Sequence, residues 1–151
     1  MYLMSTFSRI NEDLTQALKN KRDTELGTLR LIKAALLNKE KEAREELTQD
    51  TVQQVLRSLA KKHHDSIDAY ERGGRPDLVA IEREQLGILE KYLEKQFTED
   101  EVRAKVAQII EAIVQEGQNN FGAVMGRVMS ELKGKADGGL VNKVVKEILN
   151  G

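Results

Sequence analysis

Lys133, Gly134, Lys135, Ala136, Asp137, Gly138 and Gly139 form the stretch of this sequence whose residue types and spacing come nearest to chemistry. Gly134 and Gly139 have the spacing of the glycines in a nucleotide-binding P-loop. That loop needs a lysine and then a hydroxyl residue directly after the second glycine, to reach the phosphates and a metal ion. Leu140 and Val141 stand there instead, and no strand precedes the segment, so the nucleotide-binding reading fails. Gly134 can end a helix at positive φ and Asp137 can cap the next one. Capping leaves the two lysines unexplained. From Arg127 to Lys146 there are five basic residues (Arg127, Lys133, Lys135, Lys143 and Lys146) against two acidic ones, Glu131 and Asp137. A local positive excess beside the amide-rich start of a helix suits phosphate. The candidate contacts are those five side chains with the backbone amides of Gly138 and Gly139. A second basic group lies at Lys19, Lys21, Arg22, Arg30 and Lys33. For both groups, a merely solvated face is the competing explanation.

Other chemistry is scarce. His63 and His64 are the only histidines, and neighbours on a helix diverge by about 100°, so the pair cannot clamp one metal. His63 shares a face with Leu59 and Ile67 and is expected at the edge of a core. His64 and Asp68, four apart, could pair, but no third ligand is in reach. Glu99, Asp100 and Glu101 are explained by a helix start. No serine sits in a nucleophile elbow or beside a histidine. There is no cysteine, which removes disulfides, thiolate zinc sites and thiol catalysis. No active site, metal or cofactor is expected.

These residues must be positioned by helices. Apolar residues make up 40% of 151, with three Phe, three Tyr, no Trp and one Pro, while 32% are charged. An aliphatic core under solvated outer faces follows. Helical spacing runs through Phe7, Ile10, Leu14, Ala17 and Leu18, and again through Leu26, Leu29, Ile32, Leu36 and Leu37, with Asp23 as the expected cap between them. Thr48 caps a third helix bearing Val52, Val55, Leu56, Leu59, Ile67 and Tyr70. Gly73, Gly74 and Pro76 break it from a fourth with Leu78, Ile81, Ile88, Leu89 and Tyr92. Thr98 to Glu101 is a full capping box before Val102, Val106, Ile109, Ile110 and Ile113, and Gly117 is placed to end that helix. Gln118 to Asn120 forms a polar turn. Phe121, Met125, Val128 and Leu132 mark a sixth helix, and Leu140, Val141, Val144, Ile148 and Leu149 a seventh. Gly122 and Gly126 clear a strip on the sixth, which predicts the close approach of another helix, inside the domain or from a partner.

The expected architecture is all-α: an elongated bundle of about four helices over residues 1–95, then a small three-helix domain over 98–151. No apolar run approaches the roughly 20 residues of a membrane span. The start lacks the regions of a signal peptide, so the cytoplasm is the expected location. Net charge is −1, which gives no global pull toward DNA or membranes.

The run from Gly122 to Met129, followed by Leu132 to Lys143, closely resembles the YqeY family. The resemblance extends to Ile10 through Asp13, Leu29 through Ala35, Gly74 through Val79, and Tyr92 through Glu101. That family shares its C-terminal region with the tail of GatB, the B subunit of the tRNA-dependent amidotransferase. There are departures. Glu94 and Ser130 stand where the family usually has proline, Glu131 replaces a common lysine, and Ala123 stands where lysine is frequent. The resemblance implies an all-α chain with the small helical tail domain. It implies a relation to an enzyme that amidates Glu-tRNA(Gln) or Asp-tRNA(Asn), in which the tail helps to hold the tRNA and other domains do the catalysis. A carbon–nitrogen ligase label with glutamine as amide donor would follow the shared domain, and no residue here carries that chemistry.

The expected function is therefore a non-catalytic accessory that binds tRNA or another structured RNA. The contacts would be Arg127, Lys133, Lys135, Lys143 and Lys146, with the Gly138 and Gly139 amides. One alternative is a protein–protein adaptor for an amidotransferase or aminoacyl-tRNA synthetase, working through the N-terminal helices. Another is an auxiliary factor in amide transfer performed by other chains.

Overall fold

The computed structural model describes residues 5–118 and 120–150. Among these residues there are seven α-helices and no strand: α1 (Thr6–Lys19), α2 (Asp23–Ala43), α3 (Gln49–Arg72), α4 (Pro76–Glu90), α5 (Glu99–Gln115), α6 (Phe121–Leu132) and α7 (Gly138–Asn150). The protein is all-α. It packs as two compact units, Met1–Glu94 and Lys95–Gly151, each around its own aliphatic core.

In the first unit the core is built from Ile10, Leu29, Leu36, Leu56 and Leu89, all fully buried. The pairs α3–α4 and α1–α2 make the most extensive contacts, and α2 also touches α3 and α4. Local chemistry sets the helix ends. Ser5 Oγ accepts from Ser8 N at 3.2 Å, and Thr48 Oγ1 accepts from Thr51 N at 3.1 Å. Pro76 opens α4 directly after the turn in which Gly74 takes φ 66°. Asp23 is the first residue of α2 and not its cap; Arg22 takes the cap position without a side-chain bond.

Between α1 and α2 the chain reverses at Lys21, whose φ is 53°, with Arg22 N returning to Ala17 O at 3.0 Å. Glycine usually fills this left-handed position after a helix, and a side chain there is strained by about 1–2 kcal/mol. Lys21→Gly is therefore expected to raise stability by about 0.5–1 kcal/mol, net of the added freedom of the unfolded chain. Urea unfolding followed by circular dichroism checks it.

Four residues assigned to buried stripes are exposed: Leu18, Leu37, Ile81 and Phe121. The face of α4 is set by Val79, Leu86 and Leu89, and Ile81 lies two residues, about 200°, from Val79. Leu37 is one step round from the buried Leu36. Leu18 sits in the last turn of α1 and Phe121 is the first residue of α6, each at a rim.

One large polar side chain is buried as deeply as the core leucines. Gln53 donates from Nε2 to Thr6 Oγ1 at 3.2 Å and to the Tyr92 carbonyl at 2.8 Å, and its Oε1 accepts from Glu94 N at 2.9 Å. Its polar atoms are thus satisfied, as burial demands. The Tyr92 hydroxyl donates to Asp13 at 2.6 Å, and Arg9 stacks over the Tyr92 ring. Burial, then that bond to Asp13, pushes the Tyr92 phenol far above its usual range.

The second unit closes around Val102, Val106, Ile109 and Ile113 of α5, Val124, Val128 and Leu132 of α6, and Val141, Val144 and Val145 of α7. Thr98 Oγ1 accepts from Glu101 N at 3.3 Å, which is one half of the capping box. The reciprocal bond from Thr98 N to Glu101 is not made. Gly117 ends α5 at φ 83°, and Asn120 caps α6 by accepting from Ala123 N at 2.7 Å. Asn119, part of the expected polar turn, lies outside the described residues.

Candidate nucleic-acid interface

The loop between α6 and α7 is short and tightly bonded. Leu132 is buried at the end of α6, and its carbonyl accepts from Lys135 N at 2.9 Å and Ala136 N at 3.3 Å. Gly134 takes φ 77°, the conformation that permits this reversal. The buried Ala136 methyl plugs the loop into the core. The Lys135 carbonyl accepts from Phe97 N at 2.8 Å, which ties the loop to the segment before α5. Asp137 caps α7, its Oδ2 accepting from Leu140 N at 3.1 Å. The inward positions are thus Leu132 and Ala136, while Lys133 and Lys135 are exposed. Neither lysine forms an ion pair among the described residues, and nor does the exposed Lys146.

The other two basic candidates are engaged. Both Arg127 Nη1 contacts reach the Glu116 carboxylate, at 3.0 and 2.9 Å, and Arg127 Nε is 3.5 Å from Glu131. The Glu116 carboxylate, more than Glu131, holds the guanidinium above its usual pKa. Lys143 Nζ is 3.6 Å from Glu99, which also meets Arg103 at 3.0 Å, and Arg103 bonds Glu147. Arg103 first, then Lys143, keeps the Glu99 carboxyl below its usual range. Its pairs therefore persist at neutral pH and are lost as acidification protonates it. Exposed pairs of this kind contribute about 0–1 kcal/mol each, so a phosphate could displace them, but only Lys133, Lys135 and Lys146 are free without any exchange.

The glycine amides are also less open than their position suggests. Gly138 and Gly139 are the first two residues of α7, and their N–H groups have no protein acceptor among the described residues. The Asp137 carboxylate is already there: a Cβ on Gly139 would lie 3.1 Å from its Oδ2. One anion thus faces this helix start, and the dipole favours it for the reason it would favour phosphate.

The Gly122–Gly126 strip has no packing role inside the unit. A Cβ on Gly126 would meet nothing within 4 Å, and one on Gly122 only Asn120 Oδ1 at 3.5 Å. Expectation of a neighbouring helix there is corrected for this unit. Met129, exposed on the same face, continues the strip toward Lys133. Since alanine favours a helix over glycine by about 1 kcal/mol, Gly126→Ala should raise stability by roughly 0.5–1 kcal/mol. A thermal melt by circular dichroism reads this, and a fall in stability would show that the bare backbone is used within the unit.

The histidines do not make a site. His63 is half-buried at the core edge, with Nδ1 2.6 Å from Glu82 Oε2, while His64 is exposed and makes no bond to Asp68. Among the described residues, no group of three possible metal ligands exists. The second basic group is not gathered into one free patch, because Arg22 pairs with Glu25 at 3.1 Å and Lys33 is half-buried. A groove between α2 and α3, lined by Ala35, Asn38, Lys39, Gln54, Val55 and Leu59 among others, is open to solvent. No helix among the described residues is long and apolar enough to cross a membrane.

Comparison with known proteins identifies the family. The chain is similar to "Altered inheritance of mitochondria protein 41, mitochondrial" of Pyrenophora tritici-repentis, 33% identical over 144 residues, which cover 93% of this chain and 79% of that protein. It is also similar to a glutamyl-tRNA(Gln) amidotransferase subunit of Halobacterium salinarum, 39% identical over 83 residues. That match covers 49% of this chain and only 13% of the archaeal protein. A shorter match, 47% over 51 residues, covers 28% of this chain and 8% of the Methanobrevibacter smithii protein of the same name. The family model described as Yqey-like protein matches residues 7–149, and the chain belongs to the YqeY family.

Proposed function

We propose that the second unit binds structured RNA, tRNA foremost, and that the chain is a non-catalytic accessory to amide transfer on tRNA. The observation that carries this reading is the α6–α7 loop, a bonded, core-anchored turn that presents Lys133 and Lys135 with no acidic partner. A turn already held by its own bonds adds little backbone ordering cost when its two lysines meet a phosphate backbone. Lys146 is the third of the five candidates without an ion pair among the described residues, and Arg127 and Lys143 join by exchanging Glu116 and Glu99 for phosphate. The likeness to proteins that are named for Glu-tRNA(Gln) supports tRNA as the first ligand to try. The cytoplasm is the compartment proposed for this activity, although the Pyrenophora relative is named as mitochondrial.

A filter-binding titration with bulk tRNA in low salt tests the proposal. Binding that weakens linearly in log–log form as salt rises supports it; no retention of tRNA at low salt defeats it.

A second reading, a protein adaptor acting through the first unit, is favoured by Leu31 and Leu37, which α2 leaves exposed, and by the α2–α3 groove. Partners such as an amidotransferase or synthetase would then remain on the protein in a pull-down after nuclease treatment. As an auxiliary factor, the chain would have to change the rate of an amidotransferase when added to it.

A further inference from the structure

The chain between the two units is fastened on both sides, and the fastenings stop two residues apart. On the first side, α4 has already ended at Glu90, and the next segment is held by side chains. Gln53, 2% exposed, bonds the Tyr92 carbonyl at 2.8 Å and Glu94 N at 2.9 Å. Gln49 Nε2 adds a bond to the Glu94 carboxylate at 2.7 Å and one to Thr6 Oγ1 at 2.6 Å. On the second side, Phe97 N donates to the Lys135 carbonyl at 2.8 Å, the Phe97 ring packs on the second core, and Thr98 caps α5. Lys95 and Gln96 lie between, and neither makes a hydrogen bond among the described residues.

We infer that Lys95–Gln96 is the hinge of this protein, with Gln53 fixing where it begins and the backbone of Lys135 fixing where it ends. With planar peptide bonds, two free residues leave only four soft backbone dihedrals. Motion is confined to those dihedrals as long as both fastenings hold. Gln53 is the side chain on which the first fastening turns, because it joins α1, α3 and the departing segment through one buried amide. Releasing it costs the Tyr92 carbonyl and the Glu94 N–H their partner, while Thr6 Oγ1 keeps Gln49, so the segment opens only rarely. The hinge therefore stays short, and it lengthens to take in Glu94 when Gln53 loses its polar atoms, while Tyr92 stays held by its buried ring and its bond to Asp13. Gln53 is a positioning residue.

Amide hydrogen exchange resolved by NMR tests the assignment on the full chain. Lys95 and Gln96 should exchange within about tenfold of unstructured-chain rates, with Glu94 and Phe97 slower by roughly a hundredfold or more. In Gln53→Met, which keeps the volume but removes the bonds, Glu94 should become as fast as Lys95 while Phe97 keeps its protection. If Gln53→Met does not fold, Gln49→Ala should still speed Glu94 several-fold and leave Phe97 as it was. Slow exchange at Lys95 and Gln96 in the parent would overturn the hinge. A loss at Glu94 that only follows an equal loss throughout α1 and α3 would reduce Gln53 to ordinary core packing.

Discussion

Replacing Lys133 and Lys135 together with alanine is expected to weaken tRNA binding by roughly ten- to a hundredfold at low salt and to lower the slope of log affinity against log salt by about 2. Each lysine that neutralises one phosphate releases about one counterion, so slope and affinity must fall together. The loss should be the same for unrelated tRNAs, since phosphate contacts position without reading sequence. The fold should be unaffected: both side chains are exposed and unpaired, and the loop is built from the Leu132 and Lys135 carbonyls, the Ala136 methyl and the Asp137 cap. Arg127→Ala makes the comparison informative, because that guanidinium is already bonded to Glu116 and Glu131. It should cost less than either lysine. If Arg127→Ala abolishes binding while the lysine pair is neutral, the contact surface lies elsewhere on the unit. Titrations at several salt concentrations provide the measurement.

Leu56→Ala is expected to destabilise the first unit by about 3–5 kcal/mol. Leu56 is fully buried on α3 among Leu29, Leu36 and Leu89, so truncation removes most of a side chain's contacts and leaves a cavity. Typical domains hold about 5–15 kcal/mol in total, so the first unit would sit near its unfolding threshold at room temperature. The core of the second unit shares no buried residue with the first. Urea unfolding followed by helical circular dichroism should thus show an early transition from the first unit and an unmoved later one from the second. A single transition shifted as a whole would mean that the two cores melt as one.

How far the sequence spoke depended on whether a residue's role was local. Most caps and glycine turns were legible because their chemistry is settled within four residues: Thr48, Pro76, Gly117, Gly134 and Asp137 do what their spacing predicts, while Thr98 makes only half of its capping box and Asp23 falls one residue inside its helix. So was the all-α class, since the apolar period repeats over every helix. Asn120 could have been read as the cap of α6 from its place just before an apolar run. Gln53 could not. Its burial depends on Thr6, 47 positions away, and on Tyr92 and Glu94, 39 and 41 away, which no local period encodes. The Glu94 N–H used there is absent from the proline common at that position in the family. At the site, the basic residues could be counted from sequence but not sorted. Glu116 lies 11 residues before Arg127, and Glu99 lies 44 before Lys143, so the pairs that occupy them form only after α5 folds against α6 and α7.

The pairing of Arg127, Arg103 and Lys143 with acidic neighbours has a kinetic consequence. The second unit carries eight basic and eight acidic residues, so beyond one Debye length, about 8 Å at physiological salt, it presents almost no field to an approaching polyanion. Encounter would proceed at an unsteered rate of about 10⁵–10⁷ M⁻¹s⁻¹ and change little with ionic strength. Salt would then act after contact, on the lifetime of the complex. If the second unit binds RNA as proposed, it would meet it at the ordinary pace of collision, and the lifetime of the complex would set its affinity.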